Sequence, residues 1–321
     1  MLPAFPQRLA TFLFAAGMML LWGCQVEAAQ HAEVPTDTTR FGEPVALGRV
    51  AYDPIREASG IVASRTHRDV LWTHNDSGDE PRLYALTPRG EHLGVYTLAG
   101  ATARDWEDIA LGPGPDPGVD YLYVGDIGDN EARYDRKYVY RVPEPVVRAG
   151  QPPVDTTLTG VERITLQYPD GRADAETLLL DPLTKDLYIV TKRNTTVTVY
   201  RAAYPPSTTE AVVMEPAATL RLAPVPGLSS DGQGAVGGDV SPSGLEVLLK
   251  TYARVYYWQR ASGAQPLFTP PPMTLPYIAE PQGEAIGWAA DGSGYYTLSE
   301  ERAGIPATVY FYPRLSGPGL D

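Results

Sequence analysis

From Glu57 onward the chain is written in short apolar runs divided by turn residues. "EASGIVASRTHRDVLWTHNDSGDEPRLYALTPRGEHLGVYTLAG" holds four such runs. "DWEDIALGPGPDPGVDYLYVGDIGDN", followed by "KYVYRVPEP" and "GVERITLQYPDG", repeats the order. So does "DAETLLLDPLTKDLYIVTKRNTTVTVYRAAYP" with "AATLRLAPVPG". A weaker copy runs from "VGGDVSPSGLEVLLKTYARVYYWQR" to "QPLFTPPP", and the last, "QGEAIGWAADGSGYYTLSEERAGIPATVYFYPR", has only three runs. Runs of this length, rich in Val, Leu, Ile and Tyr and bounded by Gly, Pro, Asn and Asp, predict strands joined by turns.

Glu57 to Glu284 is 227 residues over four repeats, about 57 each. That spacing predicts one four-stranded antiparallel sheet per repeat, the blade of a β-propeller. The fifth copy lacks a fourth strand, and "EPVALGRVAYDP" supplies a spare strand pattern ahead of the first copy. Pairing Val45–Ala51 with the last blade closes the ring and removes two open sheet edges. The expected fold is all-β: a five-bladed propeller closed by its N-terminal strand.

In a propeller the first strand of each blade lines the axis. Its start shares a mouth with the loop joining the second and third strands. The first strands open on Glu57, Glu107, Glu176 and Glu284, followed two residues later by Ser59, Ile109, Leu178 and Ile286; the fourth blade has Gly237 and Gly238. The loops carry "HNDSGD", "GDIGDN", "TKRN", Lys250 with Thr251, and "SEER". Two carboxylates about 5 Å apart repel by roughly 3 kcal/mol at an effective dielectric near 20. Four around an axis therefore need relief. Protonation, basic neighbours (Arg56, Arg104, Lys192, Arg193) or a hard cation would each supply it. Calcium, which takes six to eight oxygens in loose geometry, suits the donor set. Zinc does not, because the chain has one Cys and its four His show no ligand spacing.

The N-terminal part changes the picture of location. Arg8 precedes "LATFLFAAGMMLLWG", Leu9 to Gly23, which is short for a membrane span and reads as a secretory signal. It ends at Cys24 in "LWGC", which resembles the bacterial lipobox, although Trp22 departs from the small residue usual there. Ordinary secretion with cleavage near "VEAAQ" is the alternative. The expected organisation is a signal peptide over 1–23, a lipid anchor at Cys24 with a flexible tether over 24–40, and the propeller over 41–321. The anchor implies export to a bacterial cell envelope, with the outer membrane favoured by Gln25. The formal net charge of −13 argues against nucleic acid as a partner. A monomer is expected, touching membrane through lipid alone.

The motifs "EASGI" with "WTHNDSGD", "WEDIA" with "LYVGDIGDN", "AETLL" with "YIVTKRN", and "GEAIG" resemble, blade by blade, those of the calcium-activated nucleotidases (apyrases). The resemblance spans Glu57 to about Ser299 as short motifs. Phytase-like esterase propellers share looser "E-A-I" and "S-E" runs. The nucleotidase resemblance implies a five-bladed ring with axial calcium held by Glu57, Glu107, Glu176 and Glu284. The fourth-blade ligand of that family is a Ser, where this chain has Gly237 or Gly238. Three functions follow. In the first, calcium holds phosphate oxygens of a small anionic substrate. Lys192 and Arg193 then neutralise charge, and Asp76 or Asp126 positions or deprotonates water to hydrolyse phosphoanhydrides or phosphoesters. In the second, the propeller binds a protein or glycan without catalysis and calcium is structural. In the third, a metal-dependent site opens esters or lactones, since no G-x-S-x-G nucleophile elbow is present.

Overall fold

A computed structural model of the chain describes Met1 and residues 34–316. The expected signal peptide, Cys24 and the tether up to residue 33 lie outside the described residues.

Residues 34–316 form five sheets. The inner strands are Ala58–Ala63, Trp106–Pro113, Ala175–Leu180, Gly237–Val240 and Gly283–Trp288, for blades 1 to 5. Each packs against the inner strands on either side, and that of blade 5 meets that of blade 1, so the ring closes. The fit is tight enough to require small residues. A Cβ on Gly287 would collide with the Ile61 carbonyl, and one on Gly60 would lie 2.8 Å from the Ile109 amide nitrogen. Five apolar clusters fill the gaps between blades: Trp72, Trp106 and Leu122 between blades 1 and 2, for example, and Phe41, Tyr257 and Trp288 between blades 4 and 5. Buried carboxylates add polar ties. Asp108 accepts the Leu178 amide at 3.0 Å, and Asp239 accepts the Trp288 amide at 2.8 Å, each from the next blade in the ring.

The closing strand is where the sequence puts it. Val45–Arg49 pairs antiparallel with Thr308–Pro313, completing blade 5. Three details differ from expectation. Blades 1 and 2 each gain a fifth strand, Val154–Leu158 and Val212–Val213, laid parallel on their outer edges. Each comes from the segment leading into the next blade's outer strand, so consecutive blades are stitched at the rim. In blade 4 the outer strand is Met273–Leu275 and not the "QPLF" run. Pro266 supplies no amide hydrogen within that run, and Leu267 packs into the core between blades 3 and 4 instead. Finally, the end of the expected tether joins the fold. The Thr274 amide donates to the Pro35 carbonyl at 2.9 Å, and Arg40 pairs with Asp37 at 2.8 Å.

Candidate metal centre

The inner strands of blades 1, 2, 3 and 5 share one irregularity. Their pairing with the second strand skips a residue between Ala58 and Gly60, Trp106 and Asp108, Ala175 and Thr177, and Gly283 and Ala285. A bulge leaves its extra residue unpaired and re-aims the side chain. The extra residues are Ser59, Glu107, Glu176 and Glu284. Blade 4 pairs without a skip, Gly237 with Lys250 and Gly238 with Leu249, and contributes nothing at this level.

The axial position of blade 1 is therefore Ser59, and Glu57 is two residues away from it. The Ser59 hydroxyl lies 2.5 Å from the Glu107 carbonyl oxygen and 3.2 Å from Glu284 Oε2, linking blades 2 and 5. Glu57 is exposed at the rim, where its carbonyl accepts the Asp76 amide at 2.8 Å. Glu107, Glu176 and Glu284 are buried, at 2%, 5% and 4% exposure.

Loops bring the remaining groups. Carboxylate oxygens of Asp76, Glu284 and Glu300 lie within 4.8 Å of one another, as do those of Asp76, Asp105 and Glu107. Asp105 and Glu300 were not singled out as ligands in the sequence. Asp105 corresponds to Glu57 in the blade pattern, and Glu300 begins the loop after the second strand of blade 5. The backbone approaches closely too. A Cβ on Gly128 would run into Glu107 Oε1 and the Asp105 carboxylate, so only glycine lets the "GDIGDN" loop cover these acids.

Electrostatics register the crowding. Burial, then the charges of Glu284, Asp105 and Glu57, push Asp76 up to about 7 against its short bond from the Ser77 amide. Asp105 rises to about 6 through burial and then Asp174 and Asp126. Glu300 rises to about 8 through burial and then Glu284 and Asp76. Glu107 stands well above the usual range, through burial first and Glu176 next. Glu176 is also raised by burial, although Lys192 opposes the shift.

The expected catalytic cations and Asp126 have other partners. The Lys192 ammonium donates to Glu176 Oε1 and lies 3.2 Å from the Tyr252 hydroxyl. Arg193 Nε donates to Asp174 Oδ2 at 2.6 Å, and Asp174 Oδ1 accepts the Asp129 amide at 2.7 Å. Asp126 is fully buried; it accepts the Asp105 amide at 3.0 Å and stands 3.6 Å from Arg104. It holds Asp105 in position and faces no open space. Tyr252, also missed in the sequence, donates to Glu284 Oε1 at 2.5 Å from blade 4, whose inner strand lacks the bulge. At the opposite mouth a cleft of about 580 Å³ opens among Arg65, Arg68, Asp291 and Tyr296, away from the acids.

No protein-family model and no curated protein matches the chain. Among solved structures it is similar to a luciferin-regenerating enzyme at 12% identity and a TM-score of 0.43, over 86% of this chain and 96% of that one. It is similar to the WD40 domain of Neurospora crassa Pan2 at 10% identity and 0.39, over 86% and 97%. A chain of a nidogen/laminin complex matches at 14% and 0.45, over 81% and 83%. Likeness at this level carries no argument about this chain. The site is read from this chain's own residues.

Proposed function

We propose that the acidic mouth holds a hard divalent cation of the calcium class, and that the loaded mouth acts on a phosphoester or phosphoanhydride. The observation that carries this reading is the convergence of Asp76, Asp105, Glu107, Glu284 and Glu300, whose oxygens lie at ligand spacing. The residues fit such an ion. They offer only hard oxygen donors, and Gly128 lets the loop backbone lie directly against Glu107 and Asp105.

When bound, the cation would neutralise phosphate oxygens and stabilise charge developing on the transferred group. The protein's own residues do the rest. Lys192 balances Glu176, Tyr252 orients Glu284, and Asp126 fixes Asp105. Asp76, expected to deprotonate water, lies inside both carboxylate groups and serves as a ligand. Glu57 stays outside them, exposed beside Asp76 and Glu300, and would take the proton from the attacking water as its oxygen bonds to phosphorus and the leaving group departs. The carboxylate pattern also supports the first of the three activities above over ester or lactone opening, since phosphate binds hard cations more strongly than a neutral carbonyl does.

Phosphate release from nucleotides and p-nitrophenyl phosphate in millimolar Ca²⁺ tests this proposal. Wild type should turn over at least one substrate. Glu57→Gln should lose turnover while keeping Ca²⁺, and Asp76→Asn should lose both. A second reading, a non-catalytic protein- or glycan-binding propeller with structural calcium, draws on one observation. Lys192 and Arg193, the cations expected to meet phosphate, are both tied to internal carboxylates. Calcium binding without phosphate release from any of these substrates would favour it.

For the chain's location, we propose secretion with lipid on Cys24 and a monomeric propeller held at a bacterial envelope, preferably the outer membrane. Support comes from "LWGC" at the end of a short apolar run. Among the described residues, no helix is long and apolar enough to cross a membrane. Labelled palmitate should enter the wild type and not Cys24→Ser.

A further inference from the structure

We propose that the mouth binds two cations, side by side, with Asp76 as the carboxylate that bridges them. This rests on the cation reading above and goes beyond it in number and geometry.

Two carboxylate groups, Asp76–Glu284–Glu300 and Asp76–Asp105–Glu107, meet the same spacing limit separately, and Asp76 is their common member. Glu284 and Glu300 come from blade 5, and Asp105 and Glu107 from blade 2, so blade 1 places Asp76 between its two neighbours. Calcium–oxygen bonds of 2.3–2.6 Å put opposite ligands of one ion at most about 5 Å apart. Each group spans about one ion. A carboxylate has two oxygens and can give one to each side, which is how paired ions about 3.5–4 Å apart are commonly held.

Charge counting agrees. The five carboxylates carry five negative charges when ionised. Lys192 is bonded to Glu176 and acts on Glu284 and Glu107 only through space. One divalent ion offsets two of these charges and two ions offset four, the remainder falling to the surrounding Lys192, Lys250, Arg104 and Arg302.

A separate observation points to a missing cation. Glu176 is 5% exposed, and its Oε2 is buried with no hydrogen-bond partner among the described residues. Glu176 stands beside the site: the Lys192 ammonium on its other oxygen lies 3.2 Å from the Tyr252 hydroxyl, which donates to Glu284 Oε1, and after burial its charge is the largest influence on Glu107. A buried carboxylate oxygen without a donor is costly to leave, and a cation at the Glu107 side supplies what Lys192, bonded to the other oxygen, does not.

The test is the number of Ca²⁺ ions bound by the full chain, counted by native mass spectrometry and isothermal titration after chelation. Two per chain are expected for the wild type. Glu300→Gln and Asp105→Asn, near-isosteric changes on opposite sides of Asp76, should each retain one. Asp76→Asn should weaken both. Melting in EDTA checks that each variant is folded. One ion in the wild type overturns the paired site and leaves the cation reading standing, and none overturns both. Two ions in the wild type and still two in both Glu300→Gln and Asp105→Asn would place the second ion elsewhere and overturn the pairing.

Discussion

The Tyr252 hydroxyl donates to Glu284 Oε1 at 2.5 Å, reaching across from the one blade whose inner strand brings no side chain to the axis. Blade 4 lacks the bulge that aims Glu107, Glu176 and Glu284 inward, and a loop tyrosine covers the gap. Hydrogen bonds to charged groups are worth about 1.5–3 kcal/mol. Tyr252→Phe should therefore lower stability in EDTA by about 2 kcal/mol. The loss should shrink in Ca²⁺, when the ion takes over the charge of Glu284. Chemical denaturation in the two conditions measures both numbers.

Stability without metal should fall as pH rises. Asp76, Asp105 and Glu300 stand at about 7, 6 and 8, above ordinary values of 3.8, 3.8 and 4.5. Between about pH 4 and pH 8 the native state thus binds more protons than the unfolded chain, and stability declines through that window. In EDTA the melting midpoint should drop from pH 5 to pH 8. The rise caused by Ca²⁺ should grow over the same range, because the ion needs the ionised groups. A midpoint in EDTA that climbs over that range would contradict the assignment.

Gly128→Ala should disturb the loop and the acids together, since its Cβ meets Glu107 Oε1 and Asp105. Overpacking of this kind costs about 1–3 kcal/mol. Calcium affinity should fall with it, whereas Gly118→Ala, at a turn with open space around it, should spare calcium binding.

Lys192→Met should tighten Ca²⁺ binding by about tenfold, the effect of removing roughly 1.4 kcal/mol of repulsion between the ammonium and the ion. It should also lower stability in EDTA, because Glu176 loses its partner. Titration calorimetry reads the first effect and melting reads the second. Unchanged calcium binding in Lys192→Met would place Lys192 outside the site, and weaker binding would make it a support of the site and not a repelling charge.

Much of the ring was legible in the sequence. Recurring four-run repeats, a last copy short of one strand and a spare strand at Val45 pointed to blade number and closure. The parallel rim strands were not, because Val154–Leu158 and Val212–Val213 carry no period that separates them from loop. The acidic mouth was legible as a place, and Glu107, Glu176 and Glu284 as its floor. Glu57 was misplaced because the bulges hide the register. Aligning Ile61 with Ile109, Leu178 and Ile286 puts Ser59 opposite the glutamates and Glu57 opposite Asp105. Pairing was the hardest part to read. A formal charge does not reveal that Lys192, Arg193 and Asp126 are already occupied, nor that Glu300 turns inward.

The central claim is that these acids hold a calcium-class ion, and the melting midpoint with and without Ca²⁺ tests it most directly. Binding to the folded ring alone adds about 2.7 kcal/mol for one site at a hundredfold excess over Kd. Calcium should therefore raise the wild-type midpoint by several degrees. Asp116→Asn alters an exposed carboxylate in the loop between the first two strands of blade 2, at the far mouth, and should respond like the wild type. Glu107→Gln should respond much less. Equal responses in all three proteins, or no response in the wild type, would contradict the account.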